Sequence, residues 1–501
     1  MTAIHFMAQL KSKGLNIYQR DGLLHYNCAK GIMTPQLMAM LKERKGEILS
    51  ILLELERIRE GRRPHIRNIP VGPGRTISSE GRQMWPRLHS PRGSHEAWLL
   101  RGPLSHKSLE KALADLVQRH DVLRDSSAPF GVNAGISVID LCGFSLADRS
   151  RKSAVLTTQF SNCKGSLRVV LLQLEKDRNL LLLKLNASIA DNFSLNILRE
   201  EWAHLYNAAS KEGISLLDPI AISSADVAHW QQFNGHTHGR QLVWWQHRLA
   251  GLGVRRLGGC VVGNRDQPIN LNFAIGNVLV EELKQIAVLE KCSLFMVLLA
   301  AWKVWLYSAG AGQDVAVGTH VDHRPIPEME GLVASFENTL VMRTDLDGNP
   351  SLRDILVRVR TTTLGAFRNQ DVPFDDVQRV CNMEHDTAGL FQTKLIFLHD
   401  SPTATRPRGI APECVSNQVG EGVGEDISLL MCVEDNGIRG LLRILPGLFT
   451  SEEAQTIPTQ FLRLLQKFVE GGDTALESLL AEKAARTSTK GTRFSSSALE
   501  F

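Results

Sequence analysis

Residues 179–185, Asn-Leu-Leu-Leu-Leu-Lys-Leu, carry the pattern of a buried strand. Residues 195–208, LNILREEWAHLYNA, carry the period of an amphipathic helix. Between them lies Asn-Ala-Ser-Ile-Ala-Asp-Asn-Phe-Ser (186–194), a strand-to-helix turn holding one acid, Asp191. Chemistry often sits at such a turn, yet the positions open to a base hold Asn186 and Ala187.

The same alternation of apolar strands and long helices continues from Ile77 onward and predicts a mixed α/β (α+β) fold. The patterns place helices at 106–119, 194–209, 280–290, 293–308, 351–367 and 451–470. They place strands at 95–101, 167–174, 179–186, 314–319, 338–345, 392–398, 427–433 and 438–444. Ahead of this block, residues 1–58 read as a small unit of their own. Ile4, Phe6, Met7 and Leu10 form a helical stripe that ends at Gly14. Two strands then flank Asp21-Gly22, a strong hairpin signal. Thr34-Pro35 caps and opens the next helix, and the order is αββαα. Residues 59–76, rich in Arg, Pro and Gly, have the composition of a linker. The main block divides at turn clusters into 77–225 and 226–475. Residues 476–501 form a tail that ends in a polar, Ser/Thr-rich stretch expected to be disordered.

Composition excludes several function classes. Of the 501 residues, 22% are charged and 43% hydrophobic, ordinary for a globular protein, and the net charge of +4 is too small to argue for nucleic acid. The eight cysteines stand singly, with no Cys-x-x-Cys pair to signal zinc or redox chemistry, and no metal is expected. The start, MTAIHFMAQLKSKG, lacks the build of a signal peptide. The most apolar run, 293–306, contains Lys303 and is short for a membrane span, so a buried helix is expected. These features together predict a cytoplasmic protein with no membrane partner.

Six segments, in order, resemble the condensation domain of non-ribosomal peptide synthetases. They are ISSEGRQMW (77–85), RHDVLR (119–124), WWQHRLAGL (244–252), VGTHVDHRPIPEMEGLVASFENTLVMRTDL (317–346), NQDVPFDDV (369–377) and EHDTAGLFQ (384–392). The last matches imperfectly: His385 stands for an expected Arg. Residues 1–58 resemble the αββαα, TubC-type docking domain that opens some such synthetase subunits.

The resemblance implies two chloramphenicol-acetyltransferase-like lobes with a tunnel between them. Carrier proteins would enter it from both faces, each bearing a phosphopantetheine arm as substrate, with no cofactor bound. The family reaction joins an upstream acyl thioester to a downstream amine. The docking hairpin would capture the C-terminal tail of an upstream subunit by adding a strand to its open edge. Tyr18, Arg20 and Lys30 are the docking residues it points to, and Lys11, Lys13 and Lys42 add positive charge suited to an acidic tail.

In the family the turn reads His-His-x-x-x-Asp-Gly. Here it falls on Asn186-Ala187-Ser188-Ile189-Ala190-Asp191-Asn192. The family's second His serves the amine, and Ala187 can neither accept a proton nor hold an amine through its side chain. Asp191 is expected to be structural, paired with Arg324 or Arg343. Asn338, Arg324 and Arg343 belong to the tunnel segment by resemblance. The heterocyclization branch offers a second alignment, Asn186-x-x-x-x-Asp191-x-x-Ser194. There Asn186 has lost the acid, and Ser194 reads as the helix N-cap. His120, His320, His323 and His385 lie in or near the motifs, each read first as a packed or surface side chain. The chain is therefore expected to be a docking and carrier-binding condensation subunit with impaired amide formation. The alternative is a condensation or heterocyclization enzyme that works without that His.

Overall fold

The computed structural model describes residues 16–20, 23–27, 38, 41, 95–124, 136–161, 167–185, 189–211, 217–220, 222–224, 226–227, 238–253, 257, 268–325, 327–381, 389–399, 407–418, 425–434 and 436–479. The chain divides into two compact units, Met1–Arg75 and Thr76–Phe501. In the first unit, strands β1 (Asn16–Arg20) and β2 (Leu23–Asn27) pair antiparallel, with Arg20 opposite Leu23 and Tyr18 opposite His25. That register is the two-residue hairpin expected at 21–22. Met38 and Leu41 are helical, in the helix expected from Thr34-Pro35; the rest of the helices expected there and Lys30 lie outside the described residues.

The second unit opens with β3 (His95–Arg101), α1 (His106–Arg119), β4 (Ser137–Asp140), α2 (Leu146–Ser161), β5 (Leu167–Glu175), β6 (Arg178–Leu185) and α3 (Asn192–Ser210). It continues with α4 (His238–Leu249), β7 (Ile269–Gly276), α5 (Asn277–Leu289), α6 (Leu294–Leu306), β8 (Asp314–Asp322), β9 (Glu337–Asp345), α7 (Leu352–Arg368) and α8 (Phe374–Val380). It closes with β10 (Thr393–His399), β11 (Ala411–Gln418), β12 (Ile427–Glu434), β13 (Gly437–Ile444) and α9 (Ser451–Glu470).

The leucine-rich run of β6 is buried from Asn179 to Leu185 because both faces of its sheet are covered. Leu181, Leu183 and Leu185 pack with α1 and α3, while Leu180 and Leu182 join Phe160 of α2 on the other side. This is the period-two alternation of a strand applied to two cores at once. The sheet order is β11-β3-β6-β5-β4. Its outer strand β11 comes from residues 411–418, late in the chain, and pairs antiparallel with β3. No sequence pattern marks that strand.

The second sheet runs β7-β13-β12-β10-β8-β9, with β10 parallel to both of its neighbours. Its core gathers around α6, whose residues from Met296 to Leu306 are all buried. The helix and its extension, Leu294–Ala311, are apolar and long enough by composition to cross a membrane, but here they form the centre of the core. Trp302 stacks on Trp305 at 4.7 Å between ring centres and meets Phe461 of α9 edge-on at 5.8 Å. Lys303 is wholly buried and turns its ammonium group onto the carbonyls of Val315 (2.8 Å) and Met342. Burial drives its pKa well below the ordinary lysine value.

Trp302→Ala is expected to cost about 3–5 kcal/mol, because the fully buried indole leaves a cavity that rigid neighbours cannot close. Val155→Ala, on a half-exposed position of α2, is expected to stay within about 0.5 kcal/mol. Urea denaturation of the two variants beside the native chain measures the contrast.

Candidate functional site

Strand β6 ends at Leu185 and α3 begins at Asn192, so the turn follows the C-terminal end of the central strand of the first sheet. Asn186, Ala187 and Ser188 lie outside the described residues. The described part of the turn centres on Asp191. Its backbone is extended (φ −98°, ψ −177°) and its carboxylate accepts from the backbone N–H of Ser194 at 2.8 Å. Asp191 is therefore the helix cap, and the cap role expected of Ser194 is corrected. Ser194 stands three residues later, inside the first turn. An ionised carboxylate offers more acceptor sites than a hydroxyl to the free N–H groups there.

The rest of the Asp191 carboxylate is taken up by the second lobe. Arg324 Nη1 donates to Oδ2 and Nη2 to Oδ1, each at 3.1 Å, a two-pronged pair. The backbone N–H of Phe336 donates to Oδ2 at 2.8 Å. The Ser194 hydroxyl is engaged from both sides: it accepts from the Ala334 N–H at 3.1 Å, and its one proton serves Asp191 Oδ1 (2.7 Å) or the Ala334 carbonyl (2.9 Å). Both side chains of the Asp191–Arg324 pair are 3% exposed, so the pair works in a low-dielectric setting. Burial lowers the Arg324 guanidinium from its ordinary value, and Asp191 opposes that fall. Phe193 and Phe336 flank the guanidinium, 4.4 and 4.7 Å from ring centre to Cζ. The guanidinium also reaches Asp322 and the carbonyls of Met329 and Leu332. Of the two arginines expected as partners, the fold selects Arg324.

Arg343 is committed elsewhere. It forks onto Asp314 (Nε–Oδ1 3.0 Å, Nη2–Oδ2 2.8 Å) and donates to the carbonyls of Arg248 and Ala250 at the end of α4. Asn338 is buried and stitches β9 to the Gln-Asp-Val-Pro-Phe segment. Its Nδ2 donates to the Gln370 and Val372 carbonyls, and its Oδ1 accepts from the Phe374 N–H.

His120, His320 and His323 each have an acidic neighbour. His120 is 1% exposed and lies 2.7 Å from Glu201 of α3, which also takes both bonds of Arg119 Nε at 3.0 Å. His323 lies 2.7 Å from Asp371, and Gln241 of α4 donates to the other Asp371 oxygen at 2.6 Å. Burial works to raise the Asp371 carboxyl, but the bonds from His323 and Gln241 outweigh it and hold it below the usual range. His320 of β8 pairs with Glu337 of β9. His385 lies outside the described residues.

Glu337 is the residue that sequence reasoning passed over. Burial would raise its carboxyl, yet His320, then Lys394 and Arg324, hold it below the ordinary value. Lys394 of β10 is itself buried and paired with Glu425. The signal available beforehand was an acid in Ser-Phe-Glu-Asn-Thr, where a strand enters a buried sheet. Among the described residues no group of three His, Cys, Asp or Glu side chains is set to hold a metal.

The family model for the condensation domain matches residues 94–487, and that for the TubC N-terminal docking domain matches residues 4–54. The chain belongs to the condensation-domain family. One of the linear gramicidin synthase proteins of Brevibacillus parabrevis is 32% identical over 409 residues, covering 76% of this chain and 8% of that protein. Cyclosporin synthetase simA of Tolypocladium inflatum is 29% identical over 411 residues, covering 76% of this chain and 3% of that protein. The chain thus spans under a tenth of the length of these relatives.

Among solved structures, the X-domain from teicoplanin biosynthesis superposes with a TM-score of 0.68 at 19% identity, covering 83% of this chain and 99% of that one. SgcC5 from Streptomyces globisporus gives 0.64 at 22% identity, with 77% and 94% covered. These likenesses show the two-lobed chloramphenicol-acetyltransferase-like fold, here preceded by the docking domain.

Breaking one side of the buried Asp191–Arg324 pair is expected to cost about 3–5 kcal/mol, since the remaining charge is stranded. Arg324→Met and Asp191→Asn should each show it in urea denaturation. The double variant should lose less than the sum of the two, the mark of direct coupling.

Proposed function

We propose that the chain is a condensation-type subunit of a non-ribosomal peptide assembly line in which the His-dependent route to the amide is impaired. In this reading, residues 1–58 dock the C-terminal tail of an upstream subunit. The space between the lobes receives acyl and aminoacyl thioesters on the phosphopantetheine arms of carrier proteins.

One observation carries the reading. The cross-lobe frame around Asp191, Arg324 and Ser194 is complete, while position 187, where the family reaction places its base, is an alanine. A frame of buried charges held by so many bonds supports a lobe junction kept for binding. A methyl side chain supplies no proton transfer. Docking is supported by the two-stranded β1–β2 sheet, whose outer edges are suited to strand addition. Tyr18 and Arg20 lie on β1, and Lys30 follows β2. The heterocyclization alignment is weakened by the hydroxyl of Ser194, which the frame already uses from both sides.

A second reading, condensation through another base, is favoured by the His320–Glu337 pair on the second lobe.

The test is a mass-spectrometric condensation assay with the carrier proteins encoded beside this chain, loaded with their own acyl and aminoacyl groups. The native chain is expected to form amide slowly, and Ala187→His to raise the rate about 100-fold, the usual worth of a positioned general base. Fast product from the native chain, unchanged by the new histidine, overturns the impaired route.

A further inference from the structure

Strand alternation sorts the second sheet into two faces. Thr344 of β9 meets Thr362 of α7, and Thr393 of β10 accepts from the indole N–H of Trp302 in α6. Val315, Val317, Leu340 and Met342 share that helix-covered core. By the two-residue period, Glu337 and Lys394 turn to the opposite face. His320 stands opposite Thr339 in the register, so it shares the face of Glu337, one diagonal step away. This face meets the first lobe at the altered turn. The amide Nδ2 of Asn192, first residue of α3, lies 3.5 Å from Glu337 Oε2.

Four ionisable side chains are therefore gathered on the face that Asn192 approaches: His320, Glu337, Lys394 and Glu425. Lys394 is occupied by Glu425, and Glu337 by His320. One group is left over. Nε2 of His320 is buried and has no hydrogen-bond partner among the described residues, on a side chain that is 10% exposed. Leaving such a nitrogen unmet costs free energy, so it marks a place that a further polar group is built to fill. An imidazole oriented on one side by a carboxylate, with its other nitrogen unpartnered, has the build of a general base.

We propose that His320, oriented by Glu337, is the general base for the slow amide formation of this chain, a partial substitute on the second lobe for the proton transfer that Ala187 cannot perform on the first. This rests on the carrier-binding reading above. As the amine nitrogen bonds to the acyl carbonyl carbon, Nε2 takes a proton from that nitrogen. The carbon–sulfur bond then breaks, and the same proton passes to the departing phosphopantetheine thiolate. The products are the amide and a free thiol. His320 is the catalytic residue, and Glu337 is a positioning residue that acts through it.

The test uses the full chain and an alkylating probe, bromoacetyl-pantetheine, which carries an electrophile on the carrier's own arm. The rate of labelling is followed against probe concentration, and the labelled residue is mapped by mass spectrometry. Saturable labelling on His320, suppressed by excess pantetheine and absent in His320→Gln and His320→Asn, is the expected result. Thermal melts of both variants must match the native chain. Glu337→Gln should slow the maximal labelling rate by at least about tenfold through misorientation of the ring, with the saturation constant unchanged. A merely structural glutamate would move both. Saturable, pantetheine-sensitive labelling that maps away from His320 overturns this proposal and leaves the carrier-binding reading standing. Labelling that never saturates, or that ignores pantetheine, overturns both.

Discussion

The buried pair of Asp191 and Arg324 is the constraint around which the two lobes are arranged. Asp191 belongs to the end of a strand-to-helix turn in the first lobe, and Arg324 to the loop after β8 in the second. Neither charge could stay buried alone, because stripping water from a lone carboxylate or guanidinium costs several kcal/mol. Their pairing is completed by Ser194, Phe336 and the flanking rings, so the loop 323–336 must follow the turn. Shifting either lobe by one hydrogen-bond length would leave several polar atoms unmet. The pair thus sets the mutual position of the turn and the face of the second sheet that meets it.

The same logic of paired charge recurs at the other motif positions. Glu201 gathers Arg119 and His120 onto α3, Asp314 takes Arg343, and Asp371 takes His323 and Gln241. Each of these motif side chains is bound to a neighbour from another part of the chain. His320 differs in degree. One side of its ring meets Glu337, while the other nitrogen, buried, meets nothing among the described residues. His120 shares the unmet second nitrogen, but it is 1% exposed and packed against Glu201 of α3, whereas His320 lies on the face that meets the altered turn.

Much of the fold was legible because long periodic segments carry their own evidence. The leucine run of β6, the wholly apolar α6 and the two-residue spacing at 21–22 each specify an element without reference to the rest. Strand β11 was not legible. Its pairing with β3 joins residues more than 300 positions apart, and nothing in a local window marks an edge strand recruited from the other half. Asp191 was legible as structural, but its choice of Arg324 over Arg343 was not. Both arginines sit in the same motif region, and only the fold brings Asp314 to one and Asp191 to the other. Ser194 misled for a similar reason. Ser and Asp both cap helices, and the extended backbone at 191 decided between them.

By itself the sequence determined the family, most of the long strands and helices, and the absence of a base at position 187. Those are properties of residue identity and short-range period, and they need no partner. Only the tertiary structure decided which charges neutralise which, which face of the second sheet meets the altered turn, and that His320 shares that face with Glu337. A buried charge is defined by what surrounds it, and its surroundings here come from strands and loops far apart along the chain.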